Sequence, residues 1–465
     1  MPHYKPIKKN EDLNESERYL SNLCEKTFLS LWSYPSVFYK PGKELCDVLV
    51  FFQNKILIIS DKNCAFNTSE NITLAWKRWF KTSIKKSAKQ LWGAERKIQN
   101  NKCNVYLDNK CTKSLPITIP KNPEIHLMAV TQGISEHISN HFQDESASFM
   151  ISTLLNPMEE CVIPFTIGDL DPQKSFVHII DDYTLENMFS ELDTPKELFQ
   201  YLDKKEELFR SDSRLIIPGE EELIADYVTN IDHSTGMHSF SFLHKLDPYG
   251  NLFRDCERWK SMKKNEQYLA KKSADEISYA WNYLIEGIGK NALNRTQYHH
   301  KGLPNPSFNN SEEIARKLAN NSRFERRTLA SAFLGIIHKS HDTPKDVLRR
   351  ILPLNDSFSI CYIFITFPEN ENLTYKKYVE IRFNYLNEFC YAVKYKHPET
   401  TEIIGVITES GDKEEGVRSE DAVYIDTSIW NDGNYRRGAE IIEKYNFFNN
   451  TKEVHFHSKE YPDLE

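Results

Sequence analysis

The residues with the most chemical content stand at the ends of two apolar runs. KELCDVLVFF, residues 43–52, carries Asp47 near its start, and KILIISDKN, residues 55–63, carries Asp61 and Lys62 near its end. A hairpin turning near Gln53-Asn54 would set Asp47 opposite residues near 60. Carboxylates and an ammonium group meeting at adjacent strand ends suit metal-dependent phosphodiester hydrolysis. A divalent ion lowers the pKa of the attacking water and neutralises charge developing on the phosphate. Mg²⁺ takes hard oxygen ligands and keeps several waters, so one or two carboxylates are enough to hold it. The expected ligands are Asp47 and Asp61, the expected ion Mg²⁺ or Mn²⁺, and Lys62 the residue that positions or activates water.

A strongly basic stretch follows, KRWFKTSIKKSAKQLWGAERK. Lys77, Arg78, Lys81, Lys85, Lys86 and Lys89, with Arg96 and Lys97, face a single acid, Glu95, and Trp76, Trp79 and Trp92 are interleaved. Contact with nucleic-acid phosphates, supported by the aromatic rings, is the functional expectation. The competing reading is a solvated charged face. Residues 1–125 hold 21 Lys and Arg against 12 Asp and Glu, a net of +9, whereas the remainder is −17. The split places a polyanionic partner at the N-terminal part and leaves the acidic remainder for other work, such as a protein partner.

These residues need elements to hold them. Residues 14–33 read as an amphipathic helix with Asn14 as N-cap and Glu17 completing a capping box, stopped by Pro35. Strands are expected at about 46–52 and 55–61, apolar on both faces and so central to a sheet. A helix over about 73–98 follows, then short strand-like pieces to about 130. Ser83, Ser87, Gln90 and Ala94 fall on one helical face, and Glu95 lies about 140° from Gln90. Farther on, a strand at 176–180 precedes two helices, the second started by Asp193-Thr194-Pro195. After the linker KGLPNPSFNN a helix opens at Asn310-x-x-Glu313. Strands at about 358–367 and 402–408 flank a helix at 374–395, with a strand near 422–426 and a helix near 434–446. The fold class is mixed α/β. The expected divisions are 1–130, a helix-rich accessory region 131–300, and a C-terminal α/β domain 301–465.

The order helix, strand with Asp, strand ending in Lys, helix with Gln resembles the PD-(D/E)XK, or restriction-endonuclease-like, nuclease superfamily over about a quarter of the chain. Cys46-Asp47 matches its first acid, Lys62 its lysine, Gln90 in KSAKQL its helical glutamine, and Glu25, with Glu17 as the lesser choice, its first-helix acid. The resemblance implies a central sheet flanked by helices and a Mg²⁺-dependent endonuclease. It also implies a part in bacterial antiviral defence or restriction, with DNA favoured over RNA. One position departs from the pattern: two residues before Lys62 stands Ser60, not an acid. In a regular strand Ser60 and Lys62 share a face and Asp61 points the other way. A bulge could turn Asp61 inward, Glu95 could supply the acid, or the site does not cut and the protein binds or senses nucleic acid.

Other chemistry is thinly represented. Nine cysteines, an odd number with no C-x₂-C spacing, argue against a disulfide scaffold or thiolate zinc site. Gly287-Ile288-Gly289-Lys290 lacks the spacing of a phosphate-binding loop, and no G-x-S-x-G or H-E-x-x-H is present. His299-His300 and His455-Phe456-His457 are weak metal candidates, and Arg323-Phe324-Glu325-Arg326-Arg327 is a basic cluster on a helix. With 40% hydrophobic and 12% aromatic residues the chain can pack its cores. No apolar run approaches the roughly 20 residues needed to span a bilayer, and no secretory h-region opens the chain. A cytoplasmic protein without membrane contact, capable of homo-oligomerisation, is expected.

Overall fold

The computed structural model describes residues 6–11, 13–100, 104–143, 148–154, 163–211, 215–232, 236–241, 257–297, 307–354, 357–413, 418–449, 451–454 and 458–464. The chain is mixed α/β and divides into two compact units, Met1–Leu269 and Ala270–Glu465. His299-His300, His455-Phe456-His457 and most of the expected linker lie outside the described residues.

The first unit opens with α1 (Glu15–Trp32), whose capping box is formed as its sequence predicts: Asn14 Oδ1 accepts from the Glu17 main chain at 2.9 Å and Glu17 Oε2 accepts from Asn14 N–H at 3.1 Å. β1 (Ser33–Lys40), β2 (Lys43–Phe52) and β3 (Lys55–Asn63) then form an antiparallel meander. Gln53, at φ +58°, makes the tight turn between β2 and β3. β1 was not anticipated from sequence, because Pro35 reads as a helix stop. It sits instead on the sheet's edge strand, where a residue lacking an N–H is tolerated.

From β3 the chain passes into α2 (Ile72–Phe80), one π-helical turn (Lys81–Lys85) and α3 (Lys86–Gln99), then returns to β4 (Glu124–Gln132) parallel to β3. Next come α4 (Ser135–Phe142), β5 (Met150–Ser152), β6 (Thr166–Ile167), β7 (Val177–Asp181) and α5 (Asp182–Glu191). They are followed by α6 (Pro195–Arg210), β8 (Ile216–Ile217), α7 (Glu220–Thr229), the short pair β9 (Ile231–Asp232) and β10 (Met237–His238), and α8 (Arg258–Lys264). The main sheet has the order β1-β2-β3-β4-β7. The boundary expected near residue 130 therefore falls inside this unit, since β7 completes the sheet by pairing with β4. α1 and α5 cover one face, with Phe28 against Phe189 and Trp32 against Phe52. α3 covers the other, its buried side running through Ser87, Ala88, Leu91, Ala94 and Ile98.

α9 (Glu266–Asp275) precedes the second unit's body: α10 (Tyr279–Asn294), α11 (Phe308–Ala319), α12 (Arg323–Asp342), β11 (Leu348–Pro353), β12 (Ile360–Phe367), α13 (Tyr375–Lys396), β13 (Glu402–Glu409), β14 (Glu420–Asp426) and α14 (Asp432–Tyr445). Its sheet runs β11-β12-β13-β14, with β12 and β13 parallel and joined through α13. The helical stretch after the linker is broken at Asn320–Ser322. Ser322 caps α12 in a second capping box with Glu325, and α11 starts earlier than expected, capped by Ser307.

Candidate functional site

The β2–β3 ladder ends at Val48↔Ile59. Just beyond it, Asp47 Oδ2 accepts the main-chain N–H of Asp61 at 2.6 Å, so a side-chain carboxylate continues the pairing where the backbone stops. This brings Asp47, Asp61 and Lys62 to one end of the sheet. Burial pushes the Asp47 carboxyl above its ordinary value, against the opposing pull of the Asp61 N–H and of the Lys62 charge. Burial raises the Asp61 carboxyl too, opposed first by Ser16 on α1, whose hydroxyl donates to Asp61 Oδ2. Gln132, at the end of β4, also approaches this carboxylate and holds it down. Even so, Asp61 Oδ1 and Gln132 Nε2 are both buried atoms without a well-aligned hydrogen bond.

Two further acids join the group. Glu17, in the first turn of α1, raises both aspartates through its charge. Glu44, at the start of β2, is lifted to about 7 by desolvation first and by Asp47 second, although its side chain keeps contact with solvent. Glu44 escaped the sequence reading because it precedes the apolar run. Ser16 escaped it because nothing in a capped helix start marks a serine that reaches across to a strand.

Register bears on the first of the alternatives at the Ser60 position. β3 pairs with β4 without interruption from Lys55↔Glu124 to Asn63↔Gln132, so no bulge rotates Asp61. Asp61 faces α1, whereas Ser60 and Lys62 face the α3 side. Ser60 is buried, and an acid there would lose its hydration. Glu95 does not replace it. It is buried near the far end of α3, where the hydroxyl of Ser175, just before β7, donates to it. The parallel strands start at that end, and Asp61 and Lys62 sit at the opposite one.

Two other expected residues stand apart. Gln90 is exposed: within the regular α3 it falls at the rim of the helix, and Leu91 takes the buried position between Ser87 and Ala94. Glu25 is paired with Lys9. α1 meets Asp61 through Ser16, and nine residues at about 1.5 Å each carry Glu25 well past it. Glu17 is thus the α1 acid near the aspartates.

The basic residues and their aromatic neighbours separate. Lys77, Arg78, Lys81, Lys86 and Lys89 are exposed and Lys85 half-buried, with Arg78 paired to Glu70. Trp76 and Trp79 are core, which corrects their expected role beside phosphates, whereas Trp92 is half-buried with Lys174 over its ring. Trp76 and Trp79 stack on one another at 5.4 Å and pack against Phe149, while Trp92 Nε1 donates to the Ser175 carbonyl.

Among the described residues, no three His, Cys, Asp or Glu side chains are gathered so as to hold an ion by themselves. A divalent ion here would take Asp47 and the under-satisfied Asp61 Oδ1, and fill its shell with water and phosphate oxygens, as Mg²⁺ does. Cys24, Cys46, Cys64, Cys111, Cys361 and Cys390 are unpaired, and burial holds the thiols of Cys24, Cys46, Cys361 and Cys390 well above their ordinary values. No described helix is long and apolar enough to cross a membrane. Compared with protein-family models, curated proteins and solved structures, the chain matches none.

Proposed function

We propose that the first unit is a divalent-metal-dependent phosphodiesterase acting on nucleic acid, DNA in preference to RNA, centred on Asp47, Asp61 and Lys62. The reading rests on one observation: Asp47 and Asp61 are joined through the 2.6 Å main-chain bond at the end of the β2–β3 hairpin, within the field of Lys62. The basic helix that starts soon after β3 supplies cationic surface for the backbone. This arrangement supports the resemblance to PD-(D/E)XK nucleases in its hairpin and lysine. Gln90 and Glu25 have no part in it.

In this reading Asp47 and Asp61 hold Mg²⁺ or Mn²⁺, and the ion supplies an acidified water and charge neutralisation. Lys62 orients the water's oxygen toward phosphorus. Attack by the water forms one P–O bond as another breaks; the water's proton passes to solvent, and the departing oxygen takes a proton from solvent. Ser16 fixes Asp61, and Glu17 tunes the field around both aspartates. The acidic remainder of the chain, residues 126–465, would contact a protein partner or a further copy of the chain, in a cytoplasmic setting suited to defence or restriction.

The test is cleavage of single- and double-stranded DNA and RNA with Mg²⁺ or Mn²⁺, comparing the wild type with Asp47→Asn and Lys62→Ala. Asp47→Asn keeps an acceptor for the Asp61 N–H but loses the charge. Each variant is expected to lose at least about a hundredfold in rate, the scale of removing an electrostatic catalytic group. Equal rates in all three proteins would sink the assignment. The placement of Asp61 and Lys62 on opposite faces of β3 favours a second reading, binding without cleavage. Tight binding with no cut product from any substrate would establish it.

A further inference from the structure

The basic helix carries its lysines four apart: Lys77, Lys81, Lys85 and Lys89. In an uninterrupted α-helix a four-residue step overshoots a turn by about 40°, so three steps would swing the last lysine about 120° round the axis. Such a row would wind from solvent toward the sheet. The π-helical turn at Lys81–Lys85 prevents this. By absorbing one residue it cuts the total drift to about 20°, and the four lysines fall into a nearly straight stripe. Burial agrees with this phase. Ser83, Ile84, Ser87 and Ala88 all turn inward, while Lys77, Lys81 and Lys89 are exposed and Lys85 is half-covered beside Phe80. Arg78, Thr82, Lys86 and Gln90 make a second exposed row with the same spacing.

We infer that this stripe is a phosphate ladder for one nucleic-acid strand, held straight by the π-helical turn. The inference deepens the proposed function by naming what the helix recognises. Successive lysines rise by about 6 Å, which is of the order of the distance between neighbouring phosphates on a strand, and the stripe covers about 18 Å. All four side chains are point charges without a fork to fix a base edge, so the contact is independent of sequence. The buried Trp76 and Trp79 offer no ring for a base to stack on. The ladder starts near the candidate site: Trp79 Nε1 donates to the carbonyl of Cys64, two residues beyond Lys62, at 2.9 Å.

The experiment measures the affinity of the full chain for a 20-mer single strand and its duplex across a salt series without divalent ion. The wild type is compared with Lys77→Gln/Lys81→Gln/Lys89→Gln and with an equal-charge control, Lys110→Gln/Lys113→Gln/Lys121→Gln. The control lysines are exposed and lie off the helix. Each lost phosphate contact removes about 0.7 from the log–log salt slope on single strands and about 0.9 on duplex. The stripe variant should therefore lose about 2–3 units of slope and the control almost none. Equal losses in the two variants would overturn the ladder, since diffuse charge would then account for binding, and so would a wild type that binds neither nucleic acid. The predicted slope difference in a protein that never cuts would uphold the ladder while the catalytic proposal falls.

Discussion

Asp47 has two roles that cannot be separated by deletion. Its carboxylate is the last acceptor of the β2–β3 ladder and a candidate ion ligand at once, so removal to alanine would leave the Asp61 N–H unpaired as well as the site uncharged. That is why asparagine is the informative replacement. A second buried ionic group lies elsewhere in the first unit. Lys205 on α6 meets Glu220 at 2.5 Å with both side chains nearly sealed from solvent, and Tyr201 donates to the other oxygen of Glu220 at 2.6 Å. Lys205→Met leaves that carboxylate buried with its cation gone. It should cost about 3–5 kcal/mol, read as a lower urea midpoint, and Glu220→Gln in the same chain should recover part of it. An unchanged midpoint would mean that water reaches Glu220. Little of this was legible in sequence. Nothing in the sequence singles out Lys205 or Glu220, because periodicity reports burial of apolar residues and is silent about charges that are buried in pairs.

At the scale of elements, what sequence showed and what it hid have distinct physical causes. Helix starts with side-chain caps, at Asn14, Thr194 and Ser322, are local hydrogen-bonding events, and the first two are plain from residue types alone. The central hairpin is equally plain, since runs apolar on both faces need cover on both sides. β1 was missed because Pro35 reads as a helix stop, and β11 because it is a half-exposed edge strand stabilised by a partner the sequence does not point to. The π-helical turn was missed because a phase calculation at 3.6 residues per turn assumes a uniform helix, and Gln90 was misplaced because Leu91, not Gln90, lies at the centre of the buried face between Ser87 and Ala94. In the second unit Gly405 on β13 marks a close approach. A Cβ there would lie 2.8 Å from Leu386 Cδ1 and 3.1 Å from both Cys390 Sγ and Val423 Cγ2. Gly405→Ala should therefore push α13 off the sheet and cost about 1–3 kcal/mol, seen as a reduced melting temperature. A neutral or stabilising result would show that Leu386 gives way freely.

Over the whole molecule, two buried acids shape the pH dependence of folding. Glu221 on α7 is raised to about 8 by burial, opposed by Ser148, and Asp181 to about 7 by burial, opposed by the main-chain N–H of Thr184. The folded pKa of each lies above its unfolded value, so between the two the folded state binds more protons. Stability is then greatest near the ordinary carboxylate range and falls as pH rises toward 8, by up to about 1.4 kcal/mol per pH unit for each group. Denaturant midpoints should be higher at pH 6 than at pH 8.5, and Glu221→Gln should flatten the upper part of the profile. A midpoint that climbs with pH would contradict the assignment. The sheet order also bears on how the protein is made. β7 begins at residue 177, so while only the earlier residues have emerged from the ribosome, β4 has a partner on one side alone. Leu127, Met128 and Val130 then lie along an open strand edge, a template for pairing with any neighbouring chain. The nascent protein passes through a sticky interval that ends when β7 arrives, and slow synthesis across that stretch favours loss to aggregation.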